Sequence, residues 1–288
     1  MALAVPNFSE GRDADAISAI ATAFARARLL DRHTDEVHNR TVLTLAGSRR
    51  ELFEGLVDGA RACVERIDID AHTGAHPCIG ALDVCPLVWL AAEERPAARE
   101  LALALAPALT DLGLPVFLYG ELATAPERRE RAFFRAGGIT ALKARMAAGE
   151  LEPDLGPAQP HPTAGAVLVT ARPPLAAFNV ELDSDDLETA REIAASLRES
   201  GGGIEGVRAI AIDLGERAQI STNVHDPLTV SLAEVIERIR VLGAERGVRP
   251  VAGEVVGLVP EASLRELPGD VPLRGFDPDL QVLERRLG

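Results

Sequence analysis

The stretch VRAIAIDLGERAQISTNV, residues 207–224, decides the fold of the second half of this chain. Its two runs of apolar and β-branched residues, 207–214 and 218–224, flank Gly215-Glu216 and predict a β-hairpin. The elements predicted around this hairpin from hydrophobic periodicity and capping residues are a strand at 178–182, a helix at 186–199, a helix at 231–246 and a strand at 254–259. The resulting order, β-α-β-β-α-β, predicts a ferredoxin-like subdomain.

The first half predicts strands and helices that alternate around one sheet. The predicted elements are strands at 2–5, 41–46, 81–90 and 115–119, a helix that begins at Asp13, and helices at 49–67 and 96–112. A proline- and glycine-rich segment at 153–173 separates the halves and is expected to be a surface connection, unless it lines a cleft. We therefore predict an α/β (α+β) protein of two subdomains, 1–173 and 174–288, whose tail from Pro268 packs loosely.

Composition excludes several classes of partner. The chain has 288 residues and a net charge of −14, which argues against binding to nucleic acid or to an anionic membrane. Three cysteines without a CxxC spacing predict no disulfide framework, and the N-terminus lacks the pattern of a signal peptide. No apolar run approaches the roughly 20 residues that span a bilayer. We expect a soluble, cytoplasmic protein.

The segment from His72 to Pro86 carries the clearest chemical signal. It places His72 and His76 in a stretch where Gly74 and Pro77 interrupt any regular helix, so it predicts a shaped loop before a strand. Histidine titrates near neutral pH and is the commonest proton carrier, although a loop histidine bonded only to backbone is an equal alternative on spacing alone. The four-residue spacing of the two histidines is typical of a metal site only on a helix, so we expect no metal there.

Several motifs, taken in order along the chain, resemble the formiminotransferase family. They are Val5-Pro-Asn-Phe-Ser-Glu-Gly11, His38-Asn-Arg-Thr41, the His72–Pro86 segment, Leu118-Tyr-Gly-Glu121, Pro153-Asp-Leu-Gly-Pro157, Ala177-Phe-Asn-Val180, Ala218-Gln-Ile-Ser-Thr-Asn223 and Val256-Gly-Leu-Val-Pro260. The resemblance extends from about Val5 to Pro260. It implies two subdomains, each a sheet with helices on its outer face, and folate bound in a tunnel between the sheets. We therefore expect two ferredoxin-like β-α-β-β-α-β subdomains with mixed or antiparallel sheets.

The resemblance also implies an activity. Members of the family transfer the formimino group from N-formimino-L-glutamate to N5 of tetrahydrofolate and release L-glutamate, a step in histidine degradation and one-carbon metabolism. The implied partners are formiminoglutamate and tetrahydrofolate, including polyglutamylated forms, and a second copy of the chain in a homodimer. The implied co-substrate is tetrahydrofolate, without a metal.

The resemblance assigns roles to particular residues. His76 falls at the position of the family's catalytic proton carrier. Arg40 and Arg172 are candidates for binding substrate carboxylates, because arginine binds them as a bidentate fork, although a surface salt bridge is an equal alternative for each. Asp35 and Asn39 are further candidates for substrate binding, because they lie in a dense polar turn after Leu30 that is typical of the wall of a site. Asp35 or Asp83 is expected to pair with the cationic amidine or to orient His76. The folate-binding segment comprises Gly156, Pro157, Ala158, Gln159, Pro160, His161, Pro162, Thr163, Ala164 and Gly165.

Three other functions remain open at this point. The same scaffold could catalyse another folate one-carbon reaction, such as one on 5-formyltetrahydrofolate. It could bind folate without turnover, or it could be a metal hydrolase that uses His72 and His76. Cys78 and Cys85 flank the histidine loop, and we interpret them as small hydrophobic residues rather than nucleophiles.

Overall fold

The computed structural model describes residues 2–74 and 77–288. The contacts divide the chain into two compact units, Met1–Pro173 and Pro174–Gly288. Each unit has its own sheet and its own apolar core. His76 lies outside the described residues.

The first unit combines strands and helices in the order β1 Ala2–Ala4, β2 Asn7–Phe8, α1 Ala14–Ala23, β3 Arg28–Asp35, β4 Arg40–Gly47, α2 Arg49–Arg66, β5 Leu82–Val88, α3 Arg95–Thr110, β6 Val116–Leu118, α4 Arg131–Arg135, α5 Gly138–Ala147 and β7 Val167–Arg172. Short 3₁₀ turns occur at Ala92–Glu94, Gly120–Leu122 and Pro126–Arg129.

A β-α-β-β-α-β arrangement forms the centre of this unit. β1 and β2 together occupy one strand position, because each pairs antiparallel with both β4 and β5. With β3 on the outer side of β4, the order β3-β4-(β1, β2)-β5 is ferredoxin-like. β7 then adds in parallel to β5, and β6 adds in parallel to β7.

Side-chain caps start the helices where the sequence predicts them. The Asp13 carboxylate accepts hydrogen bonds from the N–H groups of Asp15 and Ala16, both at 3.0 Å. Ser48 and Glu51 form a reciprocal capping box at the start of α2. Such side chains satisfy backbone donors that the first helical turn leaves unpaired, which stabilises a helix by about 1 kcal/mol.

The sheet of the first unit is covered on both faces. α1, α2 and α3 pack against one face, where Phe8, Leu45 and Val169 belong to the main core. α4 and α5 pack on the other face, where Phe134 and Leu142 join a smaller cluster with Phe117, Val84 and Leu168 of the strands. The two clusters use alternate residues of the same strands, as the period of two in a β-strand requires.

The second unit is the predicted β-α-β-β-α-β subdomain. Its elements are β8 Ala176–Leu182, α6 Leu187–Leu197, β9 Val207–Asp213, β10 Ala218–Val224, α7 Leu232–Ala244, β11 Pro250–Val256, α8 Pro278–Gln281 and α9 Leu283–Leu287, with 3₁₀ turns at Glu199–Gly201 and Glu261–Leu264. The sheet is antiparallel in the order β11-β8-β10-β9, and the hairpin pairs Val207 with Val224 and Asp213 with Ala218. The prediction of two ferredoxin-like subdomains is confirmed.

The structure corrects three local predictions. The segment 153–173 is not only a surface connection, because its last residues form β7 in the interior of the sheet. The tail does not pack loosely, since Val271, Val282 and Leu283 are buried. β11 begins at Pro250 rather than at residue 254. Among the described helices, none is long and apolar enough to cross a membrane.

Candidate active site

The loop that precedes β5 is held by its own histidine. No helix or strand forms over residues 67–74 and 77–81, in agreement with the predicted loop. His72 bonds through Nε2 to the carbonyl oxygen of Asn39 at 2.9 Å, and its Nδ1 lies 3.6 Å from the sulfur of Cys78. The two ends of the loop are therefore tied to each other and to the β3–β4 turn.

The turn between β3 and β4 contacts this loop. Asn39 adopts a left-handed conformation with φ of 49°. Its Oδ1 accepts a hydrogen bond from the Gly11 N–H at 2.8 Å, and its Nδ2 donates to the Thr73 carbonyl at 3.1 Å. Gly74 approaches so closely that a Cβ there would lie 2.4 Å from the His38 carbonyl oxygen. The Asn39 side chain therefore stabilises the loop by a hydrogen bond to its backbone at Thr73.

Asp35 is bonded to a histidine of its own turn. Its two carboxylate oxygens accept from the His38 backbone N–H at 2.8 Å and contact His38 Nδ1 at 2.7 Å. Burial raises the pKa of Asp35, but the hydrogen bonds from His38 outweigh burial and the pKa is lowered overall. The strand β3 runs to Asp35, so this residue ends a strand rather than lying in a turn after Leu30.

Asp83 forms a buried ion pair that sequence analysis missed. Its Oδ2 meets the guanidinium of Arg135 from α4, and the two residues are only 1% and 8% exposed. Its Oδ1 accepts a hydrogen bond from the Ile79 backbone N–H at 2.8 Å. Both oxygens of Asp83 are therefore engaged with the protein itself. No local pattern marks Arg135 as its partner, because the two residues are 52 positions apart.

The candidate substrate-binding arginines share one face of the sheet. Leu43 in β4 and Val169 in β7 pack into the main core. Arg40 lies three residues before Leu43 and Arg172 lies three residues after Val169, so both arginines lie on the opposite face of the sheet. Arg172 donates from Nη1 to the Pro173 carbonyl at 2.8 Å.

Burial shifts the acidity of both arginines. Burial lowers the pKa of Arg40 to about 10, and the positive charges of Arg135 and Arg131 add to this shift. Burial likewise lowers the pKa of Arg172 to about 10, with Arg131 again contributing. Both guanidinium groups stay protonated at neutral pH, but they are desolvated, which strengthens their attraction to an anion.

The predicted folate segment is joined to the histidine loop by backbone contacts. Ala81 donates to the Ala164 carbonyl at 2.9 Å, and Ala166 donates to the Ile79 carbonyl at 3.0 Å. A Cβ on Gly80 would lie 1.8 Å from the Ala166 carbonyl oxygen, and one on Gly165 would lie 2.2 Å from the Ile79 carbonyl oxygen. Only glycine permits this approach of two backbones.

The rest of the segment is shaped by polar contacts and remains accessible. Residues 156–159 and 162–163 are exposed. The His161 ring accepts from the Ala164 N–H at 3.0 Å, which fixes the turn of the segment. Just before it, Asp154 accepts from Leu118 N–H and from Arg128, both at 2.8 Å. The segment therefore starts and ends at anchored positions.

The thiols near the loop are held in their protonated form. Burial raises the pKa of Cys78 to about 11, and the Asp83 carboxylate adds to the shift. Burial also raises the pKa of Cys85 to about 12 and that of Cys63. Because the thiolate is the reactive form, these shifts disfavour a nucleophilic role. Within residues 2–74 and 77–288, no group of three or more His, Cys, Asp or Glu side chains is placed to hold a metal ion.

Comparisons with known proteins agree with this architecture. Residues 1–172 match the model of the formiminotransferase domain, N-terminal subdomain, and residues 177–267 match that of the formiminotransferase domain. The chain is 36% identical to a glutamate formimidoyltransferase of Streptococcus pyogenes, over 98% of this chain and 97% of the relative. It is 36% identical to a glutamate formimidoyltransferase of Thermoplasma acidophilum, over 98% and 96% respectively. It is 38% identical to the formimidoyltransferase-cyclodeaminase of Sus scrofa, over 90% of this chain and 50% of the relative.

Two ferredoxin-like units in tandem, with a histidine loop bonded to Asp83 of the buried Asp83–Arg135 pair, define a protein of the two-subdomain α/β class, and the relatives place it among the transferases. Two family matches that together extend from residue 1 to 267 make the assignment specific. The chain belongs to the formiminotransferase family.

Proposed function

We propose that this protein transfers the formimino group of N-formimino-L-glutamate to N5 of tetrahydrofolate and releases L-glutamate. The observation that carries the proposal is the 36% sequence identity of this chain to each of two glutamate formimidoyltransferases, over 98% of its length in both cases. The contact between the histidine loop and the predicted folate segment, through Gly80 and Gly165, supports it independently.

The reaction requires a proton carrier. The N5 amine attacks the amidine carbon, and the tetrahedral intermediate must lose the N5 proton and gain one on the departing glutamate nitrogen. The carbon–nitrogen bond to glutamate then breaks, and the electron pair leaves with that nitrogen. A histidine that accepts the first proton and donates the second serves both steps, and such catalysis typically contributes about 10²–10⁴-fold. We assign this role to His76.

Tetrahydrofolate, including its polyglutamylated forms, is the co-substrate that residues 156–165 would bind. Exposed backbone between the anchored ends of this segment could contact a flat pterin ring, and the segment bonds directly to the strand that follows the histidine loop. A rigid binding segment loses little entropy when a ligand orders it. The proposal needs no metal.

Arg40 and Arg172 are assigned to substrate carboxylates. Both are desolvated cations on the same sheet face, and a carboxylate placed there would also reduce their repulsion with Arg131. Asn39 positions Arg40 and the loop through its backbone contacts, and Asp35 balances the charge of this turn. Asp83 is not assigned to the amidine, because its oxygens bond to Ile79 and Arg135.

The two units are proposed as the N-terminal and C-terminal formiminotransferase subdomains, residues 1–173 and 174–288. A homodimer in the cytoplasm is the proposed form of the enzyme, and sedimentation of the purified chain tests the dimer.

A spectroscopic assay for 5-formimino-tetrahydrofolate tests the function. The wild-type protein is expected to form this product and to release glutamate in equal amount. His76→Ala is expected to lose activity by about 10²-fold or more while retaining folate affinity in a calorimetric titration. His225→Ala, a histidine change in the other unit, serves as the matched control and should retain activity.

The same samples distinguish the alternatives. Consumption of 5-formyltetrahydrofolate without any product from formiminoglutamate would favour the other one-carbon reaction. Folate binding with no turnover of either donor would indicate a binding protein. Stoichiometric zinc or manganese in the purified protein would reopen the hydrolase hypothesis.

A further inference from the structure

The helices α4 and α5 cover part of one sheet face and reach the histidine loop from there. Phe134 of α4 packs against Phe117 with ring centroids 5.1 Å apart, and Leu142 and Met146 of α5 extend the same cluster. Gly137, with φ of 77°, makes the bend between the two helices. Arg145 of α5 donates to the Phe133 carbonyl at 2.7 Å, so the two helices also bond to each other.

This helix pair makes one charged contact to each side of the loop. Before the loop, Lys143 of α5 contacts both carboxylate oxygens of Asp70 at 2.6 Å. After the loop, Arg135 of α4 pairs with Asp83, which in turn binds the Ile79 N–H. Asp70 lies six positions before His76, and Ile79 lies three positions after it.

The second contact differs from ordinary surface ion pairs. Removal of one partner of a buried ion pair strongly destabilises a protein, because the other charge stays buried and unpaired. The Asp83 carboxylate also accepts a hydrogen bond from the backbone N–H of Ile79, so the ion pair is bonded directly to the loop. The proposed proton transfer uses none of Lys143, Asp70, Arg135 or Asp83.

We propose that α4 and α5 clamp the loop that carries His76, and that Arg135, through Asp83 and Ile79, is the positioning residue of this clamp. This inference rests on the proposed function, since it concerns the loop assigned to proton transfer. Small displacements of a catalytic group reduce rate strongly, by about 10²-fold for 1 Å. The clamp therefore acts on kcat and leaves the binding of tetrahydrofolate in place.

Cys78 gives a native reporter for the loop. It is the residue before Ile79 and is half-buried, whereas Cys63 and Cys85 are fully buried in the main core. Alkylation of one thiol therefore reports an opened loop, and alkylation of three reports an unfolded chain. The positive charge of Arg135 lowers the pKa of Cys78, so its removal alone would slow alkylation. Faster alkylation in an Arg135 variant must then come from greater access.

The test compares Arg135→Met with Arg135→Lys and with Arg26→Met, a change in an exposed ion pair with Asp58. For Arg135→Met we expect kcat to fall about 10²-fold with little change in KM for tetrahydrofolate, and Cys78 alkylation to rise about 10-fold. Arg135→Lys should recover part of both, because it restores the charge without the guanidinium geometry. Arg26→Met should match the wild type.

Two results would overturn the clamp. One is Arg135→Met with wild-type kcat, and the other is a fall in kcat without any increase in Cys78 alkylation. If Arg135→Met exposes all three thiols, Lys143→Met decides instead, because its partly exposed contact can be removed without leaving a buried charge. Unchanged kcat and unchanged alkylation in Lys143→Met would then refute the proposal.

Failure of the clamp and failure of the proposed function remain separable. A wild-type protein without formimino transfer refutes the function. The alkylation measurements do not depend on turnover, so they still show whether Arg135 and Lys143 hold the loop. An active wild type with insensitive variants refutes only the clamp.

Discussion

Gly165→Ala tests the contact that joins the histidine loop to the proposed folate segment. A Cβ at this position would lie 2.2 Å from the Ile79 carbonyl oxygen and 3.2 Å from the Gly80 Cα. Gly138→Ala is a closely matched control. The φ angles of the two glycines are 67° and 66°, but a Cβ on Gly138 would meet nothing within 4 Å. Both variants therefore carry the same left-handed strain, and only one carries a steric clash.

The expected loss of stability follows from these distances. Left-handed strain destabilises a non-glycine residue by about 1–2 kcal/mol, and both variants share it. In Gly165→Ala the contact must also open from 2.2 Å to at least 3.0 Å against backbone. Overpacking of this kind destabilises by about 1–3 kcal/mol. The bonds from Ala81 to Ala164 and from Ala166 to Ile79 weaken as the backbones part, at about 1 kcal/mol each.

We therefore expect Gly165→Ala to reduce the free energy of unfolding by about 4–7 kcal/mol, against about 1–2 kcal/mol for Gly138→Ala. Urea unfolding followed by circular dichroism measures both values. Calorimetric titration with folate should show weaker binding for Gly165→Ala and unchanged binding for Gly138→Ala. Equal losses of stability in the two variants, or wild-type folate affinity in a folded Gly165→Ala protein, would refute the reasoning.

Two further predictions concern charged residues. Asp154→Ala should destabilise the protein by about 3–5 kcal/mol in urea unfolding, because it leaves the largely buried Arg128 without its carboxylate. Asp58→Ala should lose less than about 1 kcal/mol, because the two arginines that pair with Asp58, Arg26 and Arg61, are exposed. Equal losses in the two variants would contradict this. Binding of N-formyl-L-glutamate, an unreactive analogue, should weaken as pH rises through about 10, because burial lowers the pKa of Arg40 and Arg172 to that value and the charged form binds the carboxylate. Calorimetry on either side of that pH checks the sign, and Arg172→Met should weaken binding below it and reduce its pH dependence.

The helices α1, α2, α6 and α7 could be predicted because their signals are local, whereas α4 and α5 were not predicted. Asp13, Ser48, Asp186 and Ser231 each accept from backbone donors in the first turn of the helix that follows, as their side chains and the apolar periodicity indicate. The second unit was predictable for the same reason. Its hairpin carries its turn residues and its alternating pattern within residues 207–224.

Strands whose composition is not typical of a strand were harder to predict. Among the described strands, β3 pairs with β4 alone, and it carries Arg32, His33 and Asp35, so its side chains resemble those of a turn. β7 is the last part of a segment rich in proline and glycine, a composition that does not indicate a buried strand. β7 is stabilised by pairing with β5 and β6, which are distant in sequence, so the local pattern does not show this pairing.

The candidate site was predictable only where a motif carried it. The loop described at residues 72–74 and 77–80 follows the sequence-based expectation. The pairing of Asp83 with Arg135 did not, because it joins a strand to a helix 52 residues away. The role of His76, the folate segment and the substrate-binding arginines stay predictions.

The distribution of charge explains why an acidic chain can still attract an anionic substrate. A net charge of −14 gives the whole molecule a field that repels carboxylates at long range. That field is screened within about 8–10 Å at physiological salt, whereas buried charges are screened much less. Arg40 and Arg172 are both desolvated and both repelled by Arg131. A bound carboxylate would relieve this repulsion in addition to forming its own bonds, so local burial rather than overall charge decides where an anion binds.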